Sequence, residues 1–312
     1  MKLFACPACQ AVVFFENFQC TACGAALAYR PDLQRMVVPD RACANAAVCN
    51  WALTDDGPYC LACRFNDIVP TNVELWRRFE IAKRRLFYTL LGLGLPLIPK
   101  HVDARGLQFS FVAEGTTGHT DGVIAINIAE ARPDHREHVR ESLGETYRTL
   151  LGHFRHESGH YYWQRLIAHE PDAFRARFGD ERADYAAAQQ RHYRDGPPAD
   201  WRAHFVSAYA SMHPWEDWSE TWAHYLHMID TLETARSYGL ALRPPQPIAP
   251  VVARKLDFDD FTDLLDAWVP LTLALNSLNR SMGQPDPYAF VLSADAIAKL
   301  RFVHDIVERG LS

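Results

Sequence analysis

Residues 156–160, near the middle of the 312-residue chain, place two histidines four positions apart with a glutamate beside the first. On a helix, residues four apart lie one turn apart on the same face, so His156 and His160 can direct two imidazoles at one metal ion. Zinc lowers the pKa of a water molecule at its open coordination position, and Glu157 can accept the proton of that water. The His-Glu-x-x-His pattern therefore predicts a zinc-dependent hydrolase with Glu157 as general base.

The residues around this pattern predict the helix that the chemistry needs. Residues 145–168 contain no proline, and their apolar side chains recur at helical spacing. His153 lies one turn before His156, and two interpretations of it stay open. It either lines the cleft around the metal or is an ordinary surface histidine.

A catalytic zinc ion needs three protein ligands and one open position. The continuation His-x-x-Gly-x-x-His, which supplies a third histidine in the metzincin class, is excluded because Trp163 and Leu166 occupy the two required positions. Residues 214–238 predict a later helix that begins at Pro214 and carries carboxylates and imidazoles on one face. The third ligand is expected on this helix.

Three carboxylates of the later helix compete for the ligand position. Glu216 and Glu220 lie one turn apart on the same face, whereas Asp217 is turned by about 100° from Glu216. Ala223, which follows Glu220 in the next turn, is small enough for a close approach of the two helices, and Ser219 stands in the same place after Glu216. The steric comparison only leans towards Glu220, and the residues alone leave Glu216 open.

All eight cysteines fall within the first 63 residues and form two sets of four. The first set is Cys6, Cys9, Cys20 and Cys23, and the second is Cys43, Cys49, Cys60 and Cys63. Paired thiolates at these spacings suit one tetrahedral zinc ion per set, whereas disulfides would need an oxidising compartment that nothing in the sequence supports. Two structural zinc sites are predicted, and their metal would supply folding energy that such short segments lack.

The composition limits the partners of the chain. A net charge of −6 gives no general attraction to nucleic acid or to anionic lipid. The first cysteine set encloses Phe14, Phe15 and Phe18 but no basic cluster, so nucleic-acid binding is disfavoured. The two cysteine sets are expected to form zinc ribbons that are structural modules or that bind a protein. No secretory signal precedes Cys6, and the apolar run 86–98 is too short to span a membrane. A cytoplasmic location is expected.

The remaining pattern predicts an α+β protein, with a mainly helical zincin-like domain and a small sheet behind two zinc modules. The expected domains are a first zinc ribbon at residues 1–30, a second Cys₄ module at 31–70 and a metallopeptidase domain at 71–312. Two strands, 108–113 and 123–128, are expected to form a hairpin around a turn-rich loop. Helices are predicted at residues 74–91, 145–168, 180–194, 200–210, 214–238, 259–281 and 294–309.

The motif helix and the later helix together resemble the gluzincin metallopeptidases. The resemblance is carried by His156-Glu157-Ser-Gly-His160 and by Ser219-Glu220-Thr-Trp-Ala223-His-Tyr225. With the two cysteine sets in front, nearly the whole chain resembles the bacterial zinc-ribbon-fused zinc-binding metallopeptidases. The resemblance implies that His156, His160 and Glu220 bind a catalytic zinc ion and that Glu157 is the base.

Two features depart from the gluzincin pattern. The gap between His160 and Glu220 is longer than in many members. Many members also carry an acidic residue four places after the ligand glutamate, where this chain has His224. Asp217 is a candidate for the group that orients the first histidine. The residue that stabilises the oxyanion stays open among three candidates, which are Tyr209, His224 and Tyr225.

We therefore expect a hydrolase that cleaves the peptide bonds of a peptide or protein substrate and holds one catalytic and two structural zinc ions. Two other functions are compatible with the same residues. One is a zinc amidase or another hydrolase with a non-protein substrate. The other is an interaction protein that works through its zinc ribbons and has an inactive zincin domain. The intact Glu157 argues against the second, because loss of that residue is the simplest way to lose activity.

Overall fold

The computed structural model describes residues 2–115, 117–142, 147–242 and 261–310. Within these ranges the chain has nine α-helices and three small sheets, as the α+β prediction requires. The helices are α1 (Val73–Gly92), α2 (Pro133–Ser142), α3 (Leu150–Leu166), α4 (Asp172–Phe178), α5 (Tyr185–Asp195), α6 (Trp201–His204), α7 (Pro214–Ser237), α8 (Phe261–Ser281) and α9 (Ala294–Arg309). The strands are β1 (Phe4–Ala5), β2 (Val12–Val13), β3 (Ala28–Arg30), β4 (Arg35–Val37), β5 (Gln108–Val112), β6 (Gly118–Thr120) and β7 (Val123–Asn127).

The chain divides into two compact units, Met1–His138 and Val139–Ser312. The first unit contains both cysteine sets, α1 and all three sheets. The second contains the His-Glu-x-x-His stretch and the later helix with its carboxylates. The domain boundaries expected from the sequence, after residues 30 and 70, stay predictions.

An aromatic core joins the two cysteine modules of the first unit. The ring of Tyr29, in β3, lies 4.9 Å from the ring of Phe15 and 5.4 Å from that of Trp51. Tyr88, on α1, reaches the same cluster, with its ring 5.2 Å from Phe15. Because all four side chains are buried, residues of both modules and of the first long helix share one core.

The three-stranded sheet corrects the hairpin that the sequence predicted. β5 and β7 pair in parallel, with Gln108 opposite Val123, and they are not the two arms of a hairpin. The connecting stretch contains an unpredicted strand, β6, which pairs antiparallel with β7 and makes β7 the central strand. The tight turn lies between β6 and β7, where Asp121 and Gly122 both have positive φ. The turn signals were real, but they belong to a shorter hairpin inside the predicted loop.

Most predicted helices of the second unit are present, with ends set by capping side chains. Thr149 Oγ1 accepts from Gly152 N, 3.0 Å away, and this cap starts α3 at Leu150; the prediction began at residue 145, and residues 145 and 146 lie outside the described ranges. Ser293 caps α9 as predicted, because its Oγ accepts from Ala296 N at 3.2 Å. The helix predicted from residue 259 is described from Phe261 onward, and residues 259 and 260 lie outside the described ranges.

The helix predicted at 200–210 is much shorter than expected, because a tertiary contact ends it. α6 stops at His204, and Phe205 has extended backbone angles. Lys299, from α9, donates to the backbone oxygen of His204 at 2.9 Å and lies 4.2 Å from the centre of the Phe205 ring.

Among the described residues, no helix combines the length and the apolar character that a membrane span requires.

Candidate metal centre

The metal centre is built where α3 and α7 come closest. A Cβ atom on Gly159 would lie 2.9 Å from the Cα atom of Ser219, so only glycine fits at this point of α3. Two tryptophans of α7 fix the same contact. Trp218 Nε1 donates to Gly159 O at 2.8 Å, and Trp222 Nε1 donates to Ser158 Oγ at 3.1 Å. The close approach brings the motif histidines to the acidic face of α7.

Glu216 of α7 meets both motif histidines at this contact. Its Oε2 lies 3.0 Å from His156 Nε2, and its Oε1 lies 3.5 Å from His160 Nε2. One ligand atom from each of the three residues lies within 4.8 Å of the others. Zn–N and Zn–O bonds of roughly 2.0–2.1 Å in a tetrahedron separate neighbouring ligand atoms by about 3.3 Å. The observed separations bracket that value.

Glu220 occupies a different place from the one expected of a ligand. Its Oε1 lies 2.7 Å from Nδ1 of His156, the ring nitrogen that does not face Glu216, and its Oε2 accepts from Ser207 Oγ at 2.6 Å. This geometry favours Glu216 over Glu220 for the ligand position, because Glu220 is one turn further along α7 than the contact with His160, and the ligand assignment stays a prediction. Glu220, and not Asp217, is therefore the carboxylate that lies beside Nδ1 of the first histidine.

Asp217 faces away from the histidines. Its Oδ2 accepts from Nζ of Lys299 at 2.6 Å, and both side chains are buried. Burial raises the pKa of Asp217 to about 7, although the Lys299 ammonium opposes the increase. The pair therefore ties α7 to α9 and does not take part in the metal cluster.

The residues present fit a bound cation. Both ring nitrogens of His156 face a carboxylate, but a neutral imidazole carries only one N–H group. If Nδ1 donates to Glu220, Nε2 faces Glu216 with a lone pair, and a metal ion between them would remove the repulsion. Oε2 of Glu216 is buried without a hydrogen-bond partner, as expected of a ligand oxygen. Two imidazoles and a carboxylate are also the donors that zinc prefers at catalytic sites.

The electrostatics of the site favour positive charge. Burial opposes a charge on His156, yet Glu216 and Glu220 outweigh it and raise the pKa of His156 well above its usual value, so that a second ring proton is the positive charge that a metal ion would replace. Burial likewise raises the pKa of Glu157, which is only 7% exposed. Oε2 of Glu157 is buried without a hydrogen-bond partner. A carboxylate in this environment is a better proton acceptor than one in water.

Tyr185 is a residue of the site that the sequence analysis missed. It is the first residue of α5, and its hydroxyl donates to Oε1 of Glu216 at 2.9 Å. The hydroxyl of Tyr209 interacts with that of Tyr185, and the Tyr209 ring lies 6.0 Å from the ring of His156. The spacing of α5 gives no sign of this role, because Tyr185 meets Glu216 only through the packing of the unit.

The three oxyanion candidates differ in their surroundings. The Tyr225 hydroxyl is buried and bonds to Nδ1 of His304, 3.1 Å away. The ring of His224 packs edge-on against Phe290 at 4.2 Å. Tyr209 alone of the three has a ring contact with a motif histidine among the described residues.

The two cysteine sets each gather four sulfur atoms. The Sγ atoms of Cys6 and Cys23 lie 3.8 Å apart, and those of Cys9 and Cys20 lie 3.7 Å apart. In the second set, Cys49 and Cys60 are separated by 3.5 Å between their Sγ atoms. Four thiolates at roughly 2.3 Å from one zinc ion are about 3.8 Å from one another, whereas a disulfide is about 2.05 Å long. Both sets therefore have the geometry of Cys₄ zinc sites.

Comparison with known families agrees with this division of the chain. Residues 3–74 match a family described as "zinc-ribbon domain", and residues 72–306 match the family described as "Putative zinc-binding metallo-peptidase". The chain belongs to this metallo-peptidase family. Both matches support zinc binding. They place a ribbon region in front of the peptidase region, as the sequence predicted.

The chain has relatives of nearly the same length in mycobacteria. Uncharacterized proteins of Mycobacterium bovis and Mycobacterium tuberculosis are 44% identical to this chain. Each alignment covers 99% of this chain and 96% of the relative. No solved structure matches the chain at a significant level.

Proposed function

We propose that this member of the metallo-peptidase family is a zinc-dependent hydrolase of peptide bonds, of the gluzincin type, with His156, His160 and Glu216 as metal ligands. The observation that supports the proposal is the convergence of two imidazoles and one carboxylate beside the buried Glu157. With Glu216 as the ligand, the acidic residue expected four places later is Glu220, so the gluzincin pattern is followed more closely than the sequence analysis expected.

Each residue of the centre has a distinct role in this proposal. Zinc bound there would lower the pKa of a water molecule to near neutrality and so supply a nucleophile. Glu157 takes the proton of the attacking water and passes it to the leaving amine. Glu220 accepts from Nδ1 of His156 and would so leave Nε2 free to bind the zinc ion, as carboxylates beside zinc-binding histidines do.

Tyr209 is the proposed oxyanion residue. Its ring lies beside the ring of His156, whereas Tyr225 is bonded to His304 and His224 is packed against Phe290. A tyrosine hydroxyl can donate to the carbonyl oxygen as negative charge develops on it. The Tyr209 hydroxyl interacts with that of Tyr185, and a substrate carbonyl would take the place of Tyr185 as its partner.

The two Cys₄ sites are proposed to be structural. Their sulfur atoms are spaced for zinc, and the aromatic core of Phe15, Tyr29, Trp51 and Tyr88 ties both modules to α1. We therefore expect one catalytic and two structural zinc ions per chain. Modules of this kind stabilise their own unit, and binding of a protein partner by the ribbons stays a proposal.

Glu157→Gln tests the mechanism. The variant should keep its zinc, because Glu157 is not a ligand, and should lose roughly 10²–10⁴-fold in turnover through loss of the base. Cleavage of a peptide library is measured together with the zinc content of each preparation. Glu170→Gln, an exposed glutamate after the same helix, is the matched control and should be fully active.

Two outcomes would contradict the proposal. Equal turnover of Glu157→Gln and the unmodified protein would exclude Glu157 as the base. The catalytic zinc is expected to be the labile one, which a chelator removes before the ribbon zinc. If the unmodified protein holds this labile zinc but cleaves no peptide, a general peptidase is excluded and a non-protein substrate is favoured.

A further inference from the structure

Tyr185 meets the metal cluster through one oxygen of Glu216. Its hydroxyl donates to Oε1 of Glu216 at 2.9 Å, while Oε2 of the same carboxylate lies 3.0 Å from Nε2 of His156. We propose that Tyr185 is a positioning residue that fixes the carboxylate of Glu216 for zinc, so that metal affinity depends on the start of α5. The inference rests on the proposed role of Glu216 as a ligand.

The start of α5 is itself held on α7 by His213. Nδ1 of His213 accepts from Trp215 N at 3.1 Å and caps α7. Because that nitrogen accepts, the proton of the neutral ring is on Nε2, which donates to the backbone oxygen of Ala183 at 3.0 Å. The ring of His213 also packs 5.2 Å from the ring of Tyr185.

A second contact fixes the first turn of α5. Oδ1 of Asp184 accepts from Ala187 N at 3.0 Å and caps the helix at the residue before Tyr185. Tyr185 is therefore held by a cap on its own helix and, through His213, by the cap of the helix that carries Glu216. Both ends of the Tyr185–Glu216 hydrogen bond therefore lie in the first turns of α5 and α7, which His213 connects.

The position of this hydrogen bond explains why it would matter for zinc. A glutamate side chain has three rotatable bonds, and its carboxylate can turn away from an ion unless other groups hold it. The Tyr185 hydroxyl holds Oε1, and Oε2 is left buried without a hydrogen-bond partner. Partners of metal ligands at this distance typically change metal affinity by roughly 10–100-fold.

Tyr185→Phe is the variant that tests the inference, since it removes only the hydroxyl. The full-length protein is loaded with zinc, and the affinity of its labile site is measured by competition with a zinc chelator. We expect the labile site to bind zinc roughly 10–100-fold more weakly, with the ribbon zinc unchanged. Tyr193→Phe removes a hydroxyl from the same helix at a 58% exposed position and should leave the affinity unchanged.

A double-variant cycle separates positioning from a general loss of structure. If Tyr185 acts through Glu216, adding Tyr185→Phe to Glu216→Ala should weaken zinc binding no further. The same reduction in both backgrounds would overturn the inference, as would wild-type affinity in Tyr185→Phe when Glu216→Ala has lost zinc. If Glu216→Ala itself keeps wild-type affinity, the proposed ligand set is wrong. This failure is distinguishable from failure of the inference, because the single Glu216→Ala variant tests the ligand set alone. No measurement in the cycle depends on peptidase activity.

Discussion

Replacement of Glu220 by alanine tests the division of labour between the two glutamates of α7. Glu220 accepts from Nδ1 of His156 at 2.7 Å and from Ser207 Oγ at 2.6 Å, so the substitution leaves two partly buried donors without their carboxylate. A hydrogen bond to a charged group contributes about 1.5–3 kcal/mol. Since 1.4 kcal/mol is about tenfold in an equilibrium constant, zinc affinity should fall by roughly 10–100-fold.

Glu220→Gln separates the hydrogen bonds from the charge. The amide oxygen can still accept from Nδ1 of His156, and the amide nitrogen can donate to Ser207 Oγ. This variant should therefore lose less zinc affinity than Glu220→Ala does. We expect its loss relative to the unmodified protein to be less than about tenfold, since only the charge assistance is gone. Glu216→Ala should lose more than either, because it removes a ligand atom.

Chelator competition on the labile zinc site measures all three variants, and the four thiolates of each ribbon provide an internal control in the same protein. The order of expected losses is Glu216→Ala, then Glu220→Ala, then Glu220→Gln. A larger loss for Glu220→Ala than for Glu216→Ala would refute the assignment and make Glu220 the ligand. Equal affinity of Glu220→Ala and the unmodified protein would show that Nδ1 of His156 needs no carboxylate.

Two further predictions concern the packing that holds the site. Gly159→Ala should destabilise the second unit by about 1–3 kcal/mol and weaken labile zinc, because the new Cβ lies 2.9 Å from Ser219 Cα; thermal unfolding checks this, and Gly92→Ala, which meets no atom within 4 Å, should be harmless. Lys299→Met should cost about 3–5 kcal/mol by leaving Asp217 buried and unpaired. Denaturant unfolding should show much of that loss restored in Lys299→Met/Asp217→Leu, and a double variant as unstable as the single would contradict the explanation.

The parts of the molecule that were predictable are those whose geometry is set by neighbours in the sequence. A Cys-x-x-Cys turn places two sulfurs near one ion, and His156 and His160 share a helix face for the same local reason. The helix cap at Ser293 and the helix start at Pro214 were also predicted correctly, since each involves only the first turn of its helix. For these features the tertiary structure adds little information.

The sheet was predicted wrongly because strand pairing is not local. β5 and β7 are separated by a stretch rich in turn residues, which is typical of a hairpin. The turn chemistry cannot say whether the chain pairs the flanking strands directly or inserts a third strand. Here β6 takes the edge, and β7 enters between its two neighbours. Only contacts between distant residues decide between these topologies.

The choice between Glu216 and Glu220 shows the same limit at the scale of one helical turn. Both glutamates lie on the face of α7 that meets α3, so helical spacing accepts either as the ligand. Which glutamate lies beside both histidines depends on the turn of α7 at which the two helices come closest. Gly159 places that contact at Ser219, because a larger residue would clash there. Ser219 follows Glu216 at three residues, so the closest contact brings the turn of Glu216 to the histidines and leaves Glu220 behind His156. A small residue lies three places after each candidate glutamate, so this signal favours Glu216 only together with its partner glycine on the other helix.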